Sequence, residues 1–311
     1  MGSMRANSNK NTVNNFDLLR LFAASQVVLS HANSHLEHSY SFLSFFNLFP
    51  GVPIFFFLSG FLIYGSYESS SKNRNPALNF YFKRVLRLYP GLWACLLFSI
   101  FLVWISGYLE NIALNIKEIA LWFVAQMSFF QFYNPDFLRG FGVGALNGAL
   151  WTISVELQFY LLVPLVHKLM QQKKILIFST IVIFIIFNVL NAYLNDQHNT
   201  ALKLISVSFA PWFYMFLVGA FFAKFKEYIS LVLSINIFVL FAALVSIYFM
   251  SDYLGFGWGN KVNPIGYALM VAIIIKLAYI NPTLSDRILG RNDISYGVYI
   301  YHMPIINYIL Y

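Results

Sequence analysis

Apolar residues along this chain fall into long unbroken runs, not into the alternations or one-sided stripes of a water-soluble domain. Ten runs stand out, at 16–35, 49–67, 88–107, 118–134, 148–167, 175–194, 203–222, 229–250, 264–281 and 293–311. A helix needs roughly 20 mostly apolar residues to cross a hydrocarbon core about 30 Å thick. The runs approach that length and are separated by loop punctuation: Ser, Asn and Pro at 69–76, repeated Gly at 140–144, and Asn, Asp and Gln at 195–199. No internal repeat and no separate soluble domain interrupts them. The pattern therefore predicts an all-α, polytopic transmembrane helix bundle. Residues 1–14, polar and rich in Asn, are expected to form a flexible cytoplasmic tail, and residues 15–311 a single transmembrane domain. Asp17 and Arg20 at the start of the first run speak against a cleavable signal peptide.

Composition supports this picture and narrows it. The 311 residues are 59% hydrophobic and 10% charged, whereas soluble domains carry about 25% charged residues. Such a chain has too few charges to cover its apolar surface in water, which excludes a cytosolic enzyme, a nucleic-acid-binding module and a disordered chain. The net charge of +8 is a topology signal, because Lys and Arg collect in cytoplasmic loops. With ten crossings and the N-terminus inside, 11 of the 20 basic residues fall inside and 9 outside. If the segment 118–134 enters and leaves on one side, the division becomes 16 inside and 4 outside, only Lys117, Arg139, Lys203 and Lys261 lying outside. The charges thus predict nine crossings plus one re-entrant or tilted segment at 118–134. Cys95 is the only cysteine and reads as a buried, inert thiol.

Ionisable groups at membrane depth are costly and tend to face a bundle interior or a water-filled cavity. Arg20 and His31 are 11 residues apart, three helical turns plus about 20°, so they share one face about 16 Å apart along the axis. Asp17 is placed to pair with Arg20. His31 suits proton transfer near neutral pH, although a structural imidazole beside a snorkelling arginine fits the same spacing. Arg84 and Arg87, one turn apart, form a fork for phosphate or pyrophosphate, or an ordinary cytoplasmic anchor. Glu156, the one Glu inside an apolar span, needs an Arg, a His or a substrate hydroxyl as partner. His302, among tyrosines, lines the same cavity or bonds neighbouring helices. His31 and His35 are spaced i,i+4 without an accompanying Glu, and no metal site is expected.

These stretches occur in one order: Phe16-Asp-Leu-Leu-Arg20 to His31, Gly51-Val-Pro-Ile-Phe-Phe-Phe-Leu-Ser-Gly-Phe-Leu-Ile63, Lys83-Arg-Val-Leu-Arg-Leu-Tyr-Pro90, Leu150-Trp-Thr-Ile-Ser-Val-Glu-Leu-Gln-Phe-Tyr160 and Ile294-Ser-Tyr-Gly-Val-Tyr-Ile-Tyr-His302. As an ordered set spanning nearly the whole chain, they resemble the membrane acyltransferase-3 family of polytopic O-acyltransferases. The resemblance implies transfer of an acyl group, usually acetyl, from acyl-coenzyme A to a hydroxyl of an envelope polysaccharide or lipid-linked sugar. It implies a multi-pass protein of the bacterial cytoplasmic membrane, among membrane lipids, with its N-terminus inside. The family's Arg-x10-His motif falls on Arg20 and His31, its donor-linked Arg-x-x-Arg motif on Arg84 and Arg87, and its Trp…Glu…Phe-Tyr segment on Trp151, Glu156, Phe159 and Tyr160. On this basis His31 is expected as general base, with Arg20 and Glu156 beside it in the catalytic set. Glu156 is expected to orient His31 or bind the acceptor. Arg84 and Arg87, with Tyr89, Trp151 and Ser154, are expected to hold the acyl-coenzyme A co-substrate. Relatives usually carry one more spanning helix after the Ser-Tyr…His segment, so a bundle lacking that last helix is expected. The rival readings are a transporter or flippase of a glycan precursor and an inactive membrane scaffold.

Overall fold

The computed structural model describes residues 14–36, 41–71, 74–112, 115–194, 199–254, 257–290 and 292–311. The expected tail before residue 14, most of the 195–199 loop, and Lys72 and Arg291 of the charge count lie outside the described residues. The helices are α1 (Phe16–His35), α2 (Gly51–Ser70), α3 (Pro76–Ile105), α4 (Ile116–Met127), α5 (Trp151–Leu169), α6 (Lys174–Tyr193), α7 (Thr200–Ser206), α8 (Phe213–Lys224), α9 (Glu227–Ser234), α10 (Ile237–Leu254), α11 (Pro264–Tyr279), α12 (Leu284–Leu289) and α13 (Ser295–Leu310). Short 3₁₀ turns lie between several of them, and no strand occurs among the described residues.

The outward faces are apolar, as a lipid-facing surface requires. On α6, Ile175, Val182, Ile183 and Ile186 are exposed, and on α3 so are Leu97, Phe101 and Trp104. Four helical stretches are long and apolar enough to cross a membrane, at 45–70, 76–105, 148–169 and 174–193, and six if each bent pair counts as one span. We read the chain as a multi-pass membrane protein. The nine expected crossings are not reached by these criteria among the described residues. The physical reasons are plain: α1 carries Asp17, Arg20 and His31, α11 and α13 have 16 residues each, and such helices rise about 24 Å. α4 has 12 residues, about 18 Å, too short to cross alone.

Two runs expected as single helices are broken. α7 and α8 meet at 45°, and α9 and α10 at 84°. Pro211 stands at the first break, where a missing N–H and a fixed φ interrupt the ladder. At the second, Asn236 accepts the Phe238 N–H at 2.8 Å, ending one helix and starting the next.

α2 forms the core. Its Gly60 faces Gly219 of α8 so closely that a Cβ on Gly60 would lie 2.0 Å from the Phe216 carbonyl oxygen, and one on Gly219 would lie 2.1 Å from that of Phe57. Small residues permit this approach without water to drive it. Gly51, at the start of α2, sits as close to the Ala23 carbonyl of α1. Its N–H donates to Gln26 Oε1 at 2.7 Å, which satisfies a helix-terminal donor inside the bundle. Asn15 fixes the N-terminal end of α1: its side chain donates to the Leu277 and Ile280 carbonyls of the α11 end at 3.1 and 2.7 Å. α1 is thus held at its start and at its middle, with one face turned to α13, whose Ile300, His302 and Met303 are buried.

Candidate active site

α1 runs unbroken from Phe16 to His35, so Arg20 and His31 lie on one face about 16 Å apart along the axis. Each sits in its own cluster.

At the C-terminal end, His31 Nδ1 is 2.8 Å from His302 Nε2 of α13, the rings stacked with centroids 5.1 Å apart. His302 Nδ1 stands against the Tyr299 carbonyl. A carbonyl only accepts, so His302 Nδ1 carries a proton and its Nε2 is the acceptor. The proton between the rings therefore belongs to His31 Nδ1, and His31 Nε2 is the basic lone pair. His31 lines a cavity of about 530 Å³ together with Gln26, Ser30, Asn47, Trp151, Asn260 and Tyr299. Its volume lies within the roughly 300–1,000 Å³ usual for small-molecule sites. The loop before α11 forms one wall, fastened by Trp258 Nε1 donating to the Asn47 carbonyl at 2.9 Å.

At the N-terminal end, one carboxylate joins three helices. Asp293, just ahead of α13, holds Arg20 of α1 and, at 2.6 Å, Arg87 of α3, both on Oδ2. Its Oδ1 accepts the Ser295 N–H at 3.2 Å. Burial pushes the Asp293 carboxyl up, but Arg20, the Ser295 hydrogen bonds and Arg87 together outweigh it and hold the group below the usual carboxylate range. Arg84 lies over the rings of Phe80 and Tyr160, at 5.3 and 5.7 Å, and its Nε is buried with no partner among the described residues. Tyr160 OH donates to Glu156 at 2.5 Å. Arg20 and Glu156 face a second, narrow cavity of about 30 Å³ with Ser59, Tyr296 and Tyr299. Tyr299 is the wall common to both cavities, its OH held by Thr152 at 2.8 Å.

The structure thus brings Arg20, Arg84, Arg87 and Glu156 to one end of α1 and His31 to the other. Several expectations change. Arg20 pairs with Asp293 and not with Asp17, because α13 brings a carboxylate across from outside the helix. His302 is the group that touches His31; Glu156 is committed to Tyr160 one turn away. Ser154 is fully buried with its hydroxyl donating to Gln131 Oε1 at 2.5 Å, so it fastens α5 to the loop after α4. Trp151 lines the His31 cavity. Tyr89 packs edge-on against Trp93 at 5.8 Å, outside both cavities. The glycine-rich loop at 140–144 is tied to α13: Asn307 Oδ1 accepts the Val143 N–H at 2.8 Å. Gly142 has φ +56° and no room for a Cβ against Asn307. Among the described residues no three metal-ligating side chains cluster.

Comparison with known proteins places this geometry in context. A family model described as an acyltransferase domain matches residues 13–311. The chain is 29% identical to Nodulation protein 10 of Rhizobium leguminosarum bv. viciae, over 94% of this chain and 83% of the relative. It is 27% identical to an O-acetyl transferase of Shigella phage Sf6, over 94% of this chain and 84% of the relative. It is also 27% identical to the peptidoglycan O-acetyltransferase OatA of Listeria monocytogenes, over 83% of this chain and 45% of the relative. No solved structure matches.

Proposed function

The chain belongs to the acyltransferase-3 family, and from that premise we propose that it is a membrane O-acyltransferase moving an acyl group, most simply acetyl, from acyl-coenzyme A to a hydroxyl of a cell-envelope glycan. The observation that carries this reading is the paired imidazole. His31 lines a large cavity of aromatic and uncharged polar side chains, and its Nδ1 is fixed by His302, which leaves Nε2 as its basic nitrogen.

The charged end of α1 supplies the donor site. Arg84 has an unpartnered buried Nε, and the partly exposed Arg87 shares its carboxylate with Arg20. Both guanidiniums have N–H groups left for the coenzyme's phosphates. The route from this end toward His31 passes Tyr299, and the narrow cavity between Arg20 and Glu156, at about 30 Å³, has to widen before a pantetheine arm enters it. The rise from Arg20 to His31, about 16 Å, is a distance such an arm covers. In the large cavity His31 Nε2 takes the proton of the acceptor hydroxyl as its oxygen attacks the thioester carbonyl carbon. The carbon–sulfur bond breaks, the sulfur takes up a proton, and His31 returns to its neutral form. The imidazolium formed meanwhile donates from Nδ1 to His302 Nε2, and the Tyr299 carbonyl holds His302 in the accepting tautomer. A positioned base contributes about 10²–10⁴-fold in rate.

The test is incubation of the purified protein in lipid with radiolabelled acetyl-coenzyme A and an envelope glycan mixture. Label covalently attached to glycan supports the reading. Uptake of glycan without modification means a transporter, and neither outcome means a scaffold.

A further inference from the structure

Gln26 lies between the two ends of α1, about 9 Å past Arg20 and about 7.5 Å short of His31 along the axis, and it lines the His31 cavity. It is only 5% exposed. Its Oε1 accepts the Gly51 N–H at 2.7 Å. An N–H only donates, so the oxygen belongs on that side and the orientation of the amide is fixed. Nε2 is left with two hydrogens that nothing among the described residues accepts. It is not sealed in, either. Among the described residues, the buried side-chain atoms without a partner are Arg84 Nε, Asn147 Oδ1, His167 Nδ1 and Tyr214 OH. Gln26 Nε2 is not one of these, so it has open space before it, and the cavity that Gln26 lines is that of His31. The other polar groups of the wall are held differently. Asn47 and Asn260 are exposed, and the Tyr299 hydroxyl is bonded to Thr152 at 2.8 Å and to the Ala149 carbonyl at 3.2 Å. α2 also begins at this cavity: Pro50 and Val52 line it, and no side chain caps the helix, so the positive end of a 20-residue helix dipole lies there.

Acyl transfer makes a demand on this cavity that a base does not meet. As the acceptor oxygen attacks, the π electrons of the thioester carbonyl move onto its oxygen, and negative charge develops there. No Lys or Arg lines the cavity, so this charge needs neutral donors that are already in place. A hydroxyl both gives and takes hydrogen bonds, whereas a carbonyl oxygen only accepts and Gln26 Nε2 only donates. A thioester that arrives from the Arg20 end also meets Gln26 before it meets His31. We infer that Gln26 is an oxyanion donor: its Nε2 binds the thioester carbonyl oxygen and holds the negative charge of the tetrahedral intermediate, and the start of α2 adds its field. His31 takes the proton of the attacking hydroxyl. The carbonyl then re-forms as the carbon–sulfur bond breaks, and the proton passes from His31 to the sulfur. Gly51 is a positioning residue, because its N–H engages Oε1 and thereby sets the direction of Nε2. The inference rests on the O-acyltransferase reading and deepens it by naming a group that stabilises the transition state.

The experiment compares the wild type with Gln26→Met, each as the full chain in nanodiscs, by two readouts. One is the steady-state rate of transfer from acetyl-coenzyme A to an envelope glycan mixture. The other is the infrared stretch of the carbon-13-labelled carbonyl of bound acetyl-coenzyme A. Loss of one oxyanion donor costs on the order of 10²–10³-fold in turnover, and that fall is expected with the Michaelis constant for the donor unchanged. The carbonyl stretch is expected at lower wavenumber in the wild type than in the variant. Loss of the Gly51 hydrogen bond alone lowers the melting temperature but does not move that band. If Gln26→Met fails to fold, Gln26→Glu, which keeps an oxygen for the Gly51 N–H, decides by the same readouts above neutral pH, where a carboxylate has no hydrogen to give. Turnover near the wild-type rate, or the same stretch in both proteins, overturns the inference and leaves the O-acyltransferase reading standing. Failure of the wild type to transfer to any glycan counts against that reading. A stretch that still depends on Gln26 then preserves the contact with the donor carbonyl, and one that does not overturns the contact as well.

Discussion

Replacing Asp293 with Asn removes the one carboxylate that α1, α3 and α13 share, and its consequences follow from burial. The Arg20 side chain is 14% exposed and that of Arg87 43%. Breaking a buried ion pair by deleting one partner costs about 3–5 kcal/mol, because the other charge stays buried without compensation. A pair as open as that of Arg87 contributes at most about 1 kcal/mol. Asn keeps an oxygen for the Ser295 N–H, so that bond survives. Asp293→Asn is thus expected to lose about 3–5 kcal/mol at neutral pH, nearly all of it at Arg20. The sign of the pH dependence follows from the carboxyl lying below its ordinary 3.8 in the folded protein. The stabilisation is full above that value and is lost as the pH falls through the lower, folded one. Asp17, also within electrostatic range of Asp293, is a carboxylate and weakens the effect without reversing it. Thermal unfolding of both proteins in detergent, from pH 7 downward, provides the assay. A wide gap at pH 7 that narrows below about pH 4 is expected. Equal stability at pH 7, or a gap that persists in acid, refutes the reasoning.

Further outcomes follow from the same geometry. His302→Ala is expected to lower the turnover of transfer by on the order of tenfold, less than loss of the base itself, with the Michaelis constant for the donor unchanged; steady-state kinetics in nanodiscs checks it. Ser154→Ala leaves Gln131 Oε1 without its donor and is expected to cost about 1–3 kcal/mol of stability while leaving donor binding intact, as unfolding and calorimetry measure. Gly60→Val drives a side chain into the Phe216 carbonyl and is expected to destabilise the α2–α8 crossing by about 1–3 kcal/mol or more, read out as a lower melting temperature.

Local chemistry was legible in the sequence; contacts across the bundle were not. The 11-residue spacing placed Arg20 and His31 on one face because helical periodicity is a short-range property, and α1 is unbroken. The all-helical class followed from the apolar runs alone. The partners did not. Asp293 is 273 positions from Arg20, and His302 is 271 from His31, separations that no local pattern fixes. A signal for Asp293 was nevertheless present: guanidiniums set in two apolar runs call for an acid, and an Asp two residues before Ser295 at the head of an apolar run is placed to bind a helix start. Pro211 and Asn236 similarly marked the bends in runs read as continuous, but hydropathy averaged over a window does not register one residue. Ser154 was grouped with the donor through its motif, whereas Gln131, on the loop after α4, decides where its hydroxyl points.

The claim on which the rest depends is that His31 Nε2 removes the acceptor proton. Its most direct test compares wild type with His31→Ala for acetyl transfer and, separately, for binding of acetyl-coenzyme A. The account predicts a folded variant that binds the donor normally and transfers at least 10²-fold more slowly. Transfer near the wild-type rate by that variant contradicts it.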